Sequence, residues 1–598
     1  MSLGVESLNL IPTIDPRLDI KKLEKRLYGV ETVATENTYQ VFPITNISAS
    51  GFTVTCNPPN RGVFVDRRFL VQVTFRLTFT GNNPTPGGML INAPGLRHLP
   101  GVTKGSFSGD APRAYGLSNC MTNIQVSLNG ETISSNLSQY LRTLMRYHNY
   151  VDCQNYQNSY TPTMLDQTFE YNQADVDQNS ARNPLRGYGD NPMQCPRGGF
   201  VNAVVQSNSA TSAVVDVTFM EPVYLSPLGF FCDKDKPSFI QLDTCNIVAT
   251  FGGRGNSATG GLGSALWSHA RFSGSNPVVA NPSMLTNISV SMGQAYAVFQ
   301  YMTPPLDMQI PRSLVYDYFN PIYYSNQNNT SIVAGGTSNI TLNNVQLNSI
   351  PERVYIWISK RDQDITVLDT DTFAPFPYQG DASGSLGTST NQNVLSITFN
   401  NKTGILATST VENLYEINIR NGSNIDFRQF VFDVGSPICL KFGEDIPLPN
   451  LAAAGSRGSY NFSCTMNFTN RYSDPTIFQI NALFIHSGVF TISNGKCYRN
   501  IGLLTENDVL STKEQGGFPM EQPPAYDALG ALSWGDVWNF FKKAGRAAIN
   551  IGKVAVPRLA PEFTPVVEGA DVIAKSIGFG KMRGGKKLSR KQMLKMLK

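Results

Sequence analysis

Charge is scarce in this chain. Only 15% of its 598 residues are Asp, Glu, Lys or Arg. Gly, Pro, Asn, Ser and Thr are plentiful and aromatics reach 10%, a mix that excludes a helical bundle or a disordered chain and suits an all-β protein with long loops. No apolar run approaches the ~20 residues a membrane-spanning helix needs. No basic start leads into an apolar N-terminal segment, so synthesis in the cytosol is expected. The nine cysteines are odd in number, scattered and never paired as C-x-x-C, and they read as reduced, mostly buried thiols. The four histidines, His98, His148, His269 and His486, stand far apart with no metal-ligand spacing. The acidic cluster Asp362, Asp364, Asp369 and Asp371 lacks the central glycine and terminal glutamate of a calcium loop and reads as a solvated loop. The glycine-rich stretch Gly252–Gly263 lacks the Lys-Ser/Thr pair of a phosphate-binding loop and reads as flexible. Nucleophile, base and orienting group are nowhere assembled. No catalytic, cofactor or metal residue is assigned, and no cofactor is expected.

What is present is a long series of strand signals. The clearest is Arg68–Thr80, where Phe69, Val71, Val73, Phe75, Leu77 and Phe79 alternate with Gln72, Thr74, Arg76 and Thr78. Period 2 over that length predicts one buried face and one wetter face. Asn123–Ile133 reads as a hairpin turned by Asn129-Gly130. Strands are also expected at Gln40–Thr45, Gly51–Cys56, Val214–Tyr224 and Asn246–Phe251, with a short helix at Ser138–His148 and a polar excursion over 150–212. A second set is expected near Asn287–Met292, Ala295–Tyr301, Asn339–Leu347, Arg353–Ser359, Val394–Phe399, Leu414–Ile419, Ile438–Phe442, Tyr460–Phe468 and Phe478–Ser493. Two successive sets of about eight short strands fit two antiparallel sandwiches of jelly-roll type. The expected division is an N-terminal arm over 1–35, a first sandwich with long insertions over 36–305, a second over 306–505, a linker over 506–530 and a helical tail over 531–598.

The tail differs from the body. Residues 541–598 hold 14 Lys/Arg against 3 Asp/Glu, while the preceding 540 hold 34 against 41. Ser533 and Asp536 make a capping box for a helix that Pro557 ends. At 100° per residue, Trp534, Val537, Trp538 and Phe541 gather on one side of it and Lys542, Lys543 and Arg546 on the other, the pattern of an interfacial membrane helix over 532–557. An ordinary docked helix with an apolar stripe has the same pattern, and both readings stay open. Lys581–Lys598 carries eight Lys/Arg and no acid, enough to neutralise phosphates of a nucleic acid without sequence preference.

Phe52-Thr-Val-Thr-Cys-Asn-Pro-Pro59 with Val65-Asp-Arg-Arg-Phe-Leu-Val-Gln-Val73 resembles the opening of the major capsid proteins of virophages and polinton-like viruses. Pro304–Tyr324, Ile350–Ile358 and Asp369-Thr-Asp-Thr372 look like the start of the second jelly roll in that family. The resemblance implies a double jelly roll in a homotrimeric, pseudo-hexagonal capsomer, with loops such as 150–212 as outward towers or trimer contacts. It also implies an icosahedral shell around a DNA genome, neighbouring capsomers, penton and minor capsid proteins as partners, and residence in the virion. A cytosolic carbohydrate-active β-sandwich enzyme with a membrane-surface tail, and a minor vertex or spike protein, are the competing readings.

The tail carries further resemblances. Ser533-Trp-Gly535 with Trp538 is similar to the membrane-lytic helix of adenovirus protein VI, which also carries a Pro-Pro-x-Tyr motif like Pro523, Pro524 and Tyr526 here. Such a motif also suits host WW domains, because its polyproline conformation is preformed. Met582-Arg-Gly584-Gly585 before Lys586 matches the cleavage pattern of adenovirus-type maturation cysteine proteases, with the cut expected between Gly585 and Lys586.

Overall fold

The computed structural model describes residues 34–67, 69–82, 89–90, 110–147, 161–163, 165–169, 171–172, 203–223, 238–255, 261–269, 272–273, 285–306, 313–378, 394–448, 452–493 and 495–502. Among the described residues twenty strands make up four large sheets, and sixteen of them, eight to each, form two sandwiches. The first holds β1 (Glu36–Pro43), β2 (Gly51–Thr55), β3 (Phe69–Gly81), β4 (Met121–Leu128), β5 (Glu131–Ser135), β6 (Ser212–Val223), β7 (Cys245–Phe251) and β8 (Leu285–Thr303). The second holds β9 (Ser313–Gln327), β10 (Thr337–Ser349), β11 (Arg353–Lys360), β12 (Leu395–Phe399), β13 (Lys402–Ile405), β14 (Ile438–Lys441), β15 (Arg457–Thr469) and β16 (Phe478–Ser493).

The sheets run β1-β8-β3-β6 and β2-β7-β4-β5 in the first sandwich, then β9-β16-β11-β14 and β10-β15-β12-β13 in the second. In each sandwich, therefore, one sheet takes the first, eighth, third and sixth strands and the other takes the second, seventh, fourth and fifth. That is the jelly roll, made twice. Short strands extend the edges: Ala203–Asn208 pairs with β6, and Lys496–Ile501 pairs with β16. A helix follows the fifth strand in both rolls, α1 (Leu137–Leu144) after β5 and α2 (Val411–Arg420) after β13.

Local chemistry explains the elements. In β3 the six apolar residues from Phe69 to Phe79 are buried, and Arg76 on the alternate face is exposed and pairs with Asp216. Asn129 and Gly130 take φ of 47° and 87°, the positive pair that a two-residue hairpin turn demands. The stretches 287–292 and 295–301 prove to be one strand, β8, with a bulge between Met292 and Ala295.

Three expectations are corrected. Leu414–Ile419 is not a strand but most of α2: Thr410 Oγ1 accepts from Asn413 N at 3.3 Å, and Val411, Leu414 and Asn418 form the buried face. Gly252–Gly263 is not simply a loose loop. Arg254 bridges to Gly261, which opens a short helix to Leu266, and a Cβ at Gly253 would lie 1.6 Å from the Gly261 backbone. The acidic cluster is only partly solvated, because Asp369 and Asp371 are buried. β9, β13 and Lys496–Ile501 are strands that the pattern reading did not single out.

Candidate functional site: a buried seam and two partly exposed faces

The chemistry of this molecule sits where the sandwiches meet. The outer face of the β9-β16-β11-β14 sheet carries Tyr323, Leu483, Tyr355 and Cys439 as one row across four strands. The first sandwich covers that row. Tyr147, in the turn that continues α1, packs its ring 5.0 Å from Tyr355, and its hydroxyl donates to Asn418 Oδ1 at 2.7 Å. Arg142 of α1 lies 5.8 Å from the Phe373 ring centroid and 3.9 Å from Asp362. Farther along, Phe239 meets Tyr316 at 5.1 Å, and Arg499 pairs with Glu131 at 3.3 Å. One hydrophobic cluster consequently runs through both sandwiches.

Buried charge fixes the register of this seam. Arg113 donates to the carbonyls of Ser264 and Asp369, both at 2.5 Å, and its guanidinium stands 3.5 Å from Asp371 Oδ1. Arg146 donates to the carbonyls of Asp166 and Asp371 at 2.5 and 2.9 Å, and Asp371 N donates to Asp166 Oδ2 at 3.0 Å. Lys360 pairs with Asp369 at 3.0 Å. Burial and the nearby Arg142 and Arg113 lower the Arg254 pKa to about 10, which leaves it charged at neutral pH. Such a network favours one geometry over others, since any slip leaves a buried charge alone. Thr161, Thr163, Leu165 and Asp166 belong to the excursion read as outward towers or trimer contacts; these four are buried, Thr161 donating to Glu221 within the first sandwich and Asp166 accepting from Asp371 N across the seam.

Reactive groups are muted. The six described cysteines, Cys56, Cys120, Cys245, Cys439, Cys464 and Cys497, are free and buried, and burial raises every one of their pKa values, to about 12 for Cys56, Cys439, Cys464 and Cys497. His486 is buried against Ser349 Oγ at 2.9 Å, and burial lowers its pKa to about 4. Among the described residues no group of three or more metal-ligating side chains is gathered, and no helix is long and apolar enough to cross a membrane.

Two surfaces carry exposed apolar side chains beside half-buried ones. The outer face of the β1-β8-β3-β6 sheet holds the row Val41, Val298 and Leu70, with Pro43, Tyr296, Gln72 and Met220 as the next row. Val41 is 55% exposed and the neighbouring Tyr39 66%. The second surface is α2, where Ile419 is 39% exposed and Tyr415 and Ile417 are half-buried. Met582, Gly584, Gly585, Lys586, Pro523, Pro524, Tyr526, Trp534, Val537, Trp538, Phe541, Lys542, Lys543 and Arg546 all lie outside the described residues. The seam and the partly exposed faces were not foreseen. The available signal was the unbroken apolar run Val354–Ile358, which marks burial on both faces.

Comparison with known proteins agrees with this architecture. Residues 10–252 match the family model of the Sputnik virophage major capsid protein first domain, and residues 320–432 match that of the major capsid protein V20 C-terminal domain. The putative capsid protein V20 of Sputnik virophage is 26% identical, covering 98% of this chain and 96% of its own length. A chain in the cryo-EM structure of the Sputnik virophage superposes with a TM-score of 0.71 at 25% identity, covering 90% of this chain and 99% of that one. The mavirus major capsid protein shares the fold, with a TM-score of 0.62 at 14% identity over 85% of this chain and 99% of that one. The chain belongs to the virophage major capsid proteins, the double jelly rolls that form the virion shell.

Proposed function

We propose that this protein builds its shell as homotrimeric, pseudo-hexagonal capsomers in an icosahedral capsid around a DNA genome, meeting neighbouring capsomers, penton and minor capsid proteins. The observation that carries the proposal is that one chain presents the same sandwich twice, joined by a buried seam that holds paired charges. Three such chains offer six similar units to a hexagonal lattice. We assign it no catalysis; the glycan-enzyme reading finds no support in a family of structural proteins. The division into arm (1–35), two rolls (36–305 and 306–505), linker (506–530) and tail (531–598) belongs to the same proposal. The purified chain should sediment as three copies, and electron microscopy should show three-fold particles or shells. A product that stays monomeric at high concentration contradicts it.

The tail proposals rest on sequence alone. The maturation protease would cut after Gly585, releasing Lys586–Lys598, and the basic segment would contact genomic DNA. The helix around Trp534 and Trp538 would engage membrane, and Pro523-Pro524-x-Tyr526 would engage WW domains. Mass spectrometry of assembled particles should find the chain ending at Gly585. A peptide of residues 532–557 should leak dye from anionic liposomes; particles with intact C-termini and tight liposomes would remove these two assignments.

A further inference from the structure

The seam gathers more positive charge than its acids match. Arg113 and Arg146 are held at Asp166 and Asp371, and Lys360 pairs with Asp369. Arg361 takes Asp364 through two hydrogen bonds at 2.8 and 2.9 Å. Among the described residues that leaves Arg142 and Arg254 with Asp362 alone, a surplus of one positive charge. Asp362 does not satisfy the pair, because its Oδ1 stands 3.9 Å from Arg142 Nη2, beyond hydrogen-bond reach. Arg142 is 4% exposed, and its Nε is a buried donor with no acceptor; Nη2 of Arg254 is a second such donor. The backbone brings these groups together, since Gly255 N donates to the Asp362 carbonyl at 2.7 Å and so sets Arg254 beside the acid that Arg142 faces. The Phe373 ring lies 5.8 Å from the Arg142 guanidinium. Trp357, 6.5 Å from the same ring, brings a third buried N–H without an acceptor, its Nε1. Asp362 Oδ1 and Asp371 Oδ2 likewise have no donor, but hydrogen bonds from water to those oxygens would leave the surplus charge as it is.

We infer that the seam binds one small monovalent anion, of the size and charge of chloride, between Arg142 and Arg254. A guanidinium does not shed its proton at neutral pH, so a buried one without a partner is costly, and an anion removes that cost. Arg254 stays charged even with its pKa lowered to about 10. One negative charge closes the imbalance, whereas a doubly charged oxyanion would only reverse its sign. The donors suit a halide, which takes N–H groups from several directions and offers no hydrogen of its own. Arg254 is half-buried and marks the side from which the ion enters. Arg142 and Arg254 belong to the first roll, and Asp362, Phe373 and Trp357 to the second. The ion therefore sits where the two rolls join, and the strength of that joint depends on a solute. None of this rests on how the chains assemble.

The test uses the full chain in sodium chloride and in sodium gluconate at equal ionic strength, gluconate being too large for the site. Exchanging gluconate for chloride should raise the melting midpoint of the wild type by about 2 °C or more beyond its effect on Arg254→Gln, and the difference should saturate with chloride concentration. Arg254→Gln removes the surplus charge, so in gluconate it should melt at or above the wild type. Arg142→Gln should lose the chloride response as well; should it fail to fold, Arg254→Gln, at a half-buried side chain, decides alone. Arg76→Gln, at an exposed arginine paired with Asp216 away from the seam, should respond as the wild type does. Bromide soaked into crystals should give an anomalous peak beside Arg142 and Arg254. Equal chloride responses in the wild type and Arg254→Gln would mean a general salt effect and overturn the inference. So would an Arg254→Gln chain that melts below the wild type in gluconate, or bromide found only at other places.

Discussion

The third strands of the two sandwiches, β3 and β11, make the same connections and answer to different solvents. β3 alternates, with Phe69, Val71, Val73, Phe75, Leu77 and Phe79 inside and Leu70, Gln72, Thr74 and Arg76 facing out. β11 reads Arg-Val-Tyr-Ile-Trp-Ile-Ser-Lys, and all six residues between Arg353 and Lys360 are buried. The difference is a record of neighbours. A strand that packs on one side needs period 2; a strand packed on both sides reads as a continuous apolar run. Within one chain, then, the jelly-roll topology is kept while the outer face is tuned for a permanent contact in one roll and for an available one in the other.

The sharpest way to break this comparison is to truncate one side chain on each outer face in the dissociated chain. Trp357, fully buried beside Tyr323 and Phe373, should cost about 4 kcal/mol on truncation to Ala, the range for a deleted core aromatic. Val298→Ala, half-buried on the outer face of the first roll, should cost about 1 kcal/mol or less. Urea titrations of the two variants measure both. Equal losses would mean that the two outer faces are equally buried.

A second difference concerns acid. His486, on β16 of the second roll, has a folded pKa of about 4 against about 6.5 for an unfolded histidine. The unfolded chain therefore binds the extra proton first. Stability from this group is intact above about pH 6.5 and falls as pH drops toward 4, by roughly 3 kcal/mol in all. Urea midpoints collected across that window should decline more steeply for the wild type than for His486→Asn, whose starting stability is lower because Ser349 loses its partner. Parallel slopes would show that the ring does not carry the acid sensitivity.

Much of the fold was legible because its signals are local. Alternation marked β3, and Asn129-Gly130 marked a hairpin whose φ angles are positive at both positions. α2 was misread because Leu414-Tyr-Glu-Ile-Asn-Ile419 alternates much as an edge strand does. Its helical signals sat upstream, in the Thr410 cap and the Val411, Leu414, Asn418 spacing. The seam was illegible for a different reason. Asp371 looks like a loop acid until Arg113 and Arg146 arrive from more than 200 positions away, and no window along the chain contains both partners. Asymmetry of burial between equivalent elements likewise exists only once the two rolls can be laid side by side.

The two helices sharpen the comparison at its smallest scale. α1 begins at Asn136, whose side chain makes no capping bond, and is held instead by burial on nearly every side. α2 has solvent along much of its surface and begins at Thr410, whose hydroxyl accepts from Asn413 N. A helix lacking tertiary cover depends more on its ends. Thr410→Ala should therefore cost about 1 kcal/mol in the dissociated chain, and Asn136→Ala only a few tenths of that, both read as shifts in urea midpoint. If assembly covers α2 as the seam covers α1, hydrogen exchange at the amides of Asn413 and Leu414 should be faster in the dissociated Thr410→Ala variant than in wild type, and the gap should shrink on association. A gap that persists in the assembled particle would place α2 in solvent there too, and the likeness between the two helices would end at topology.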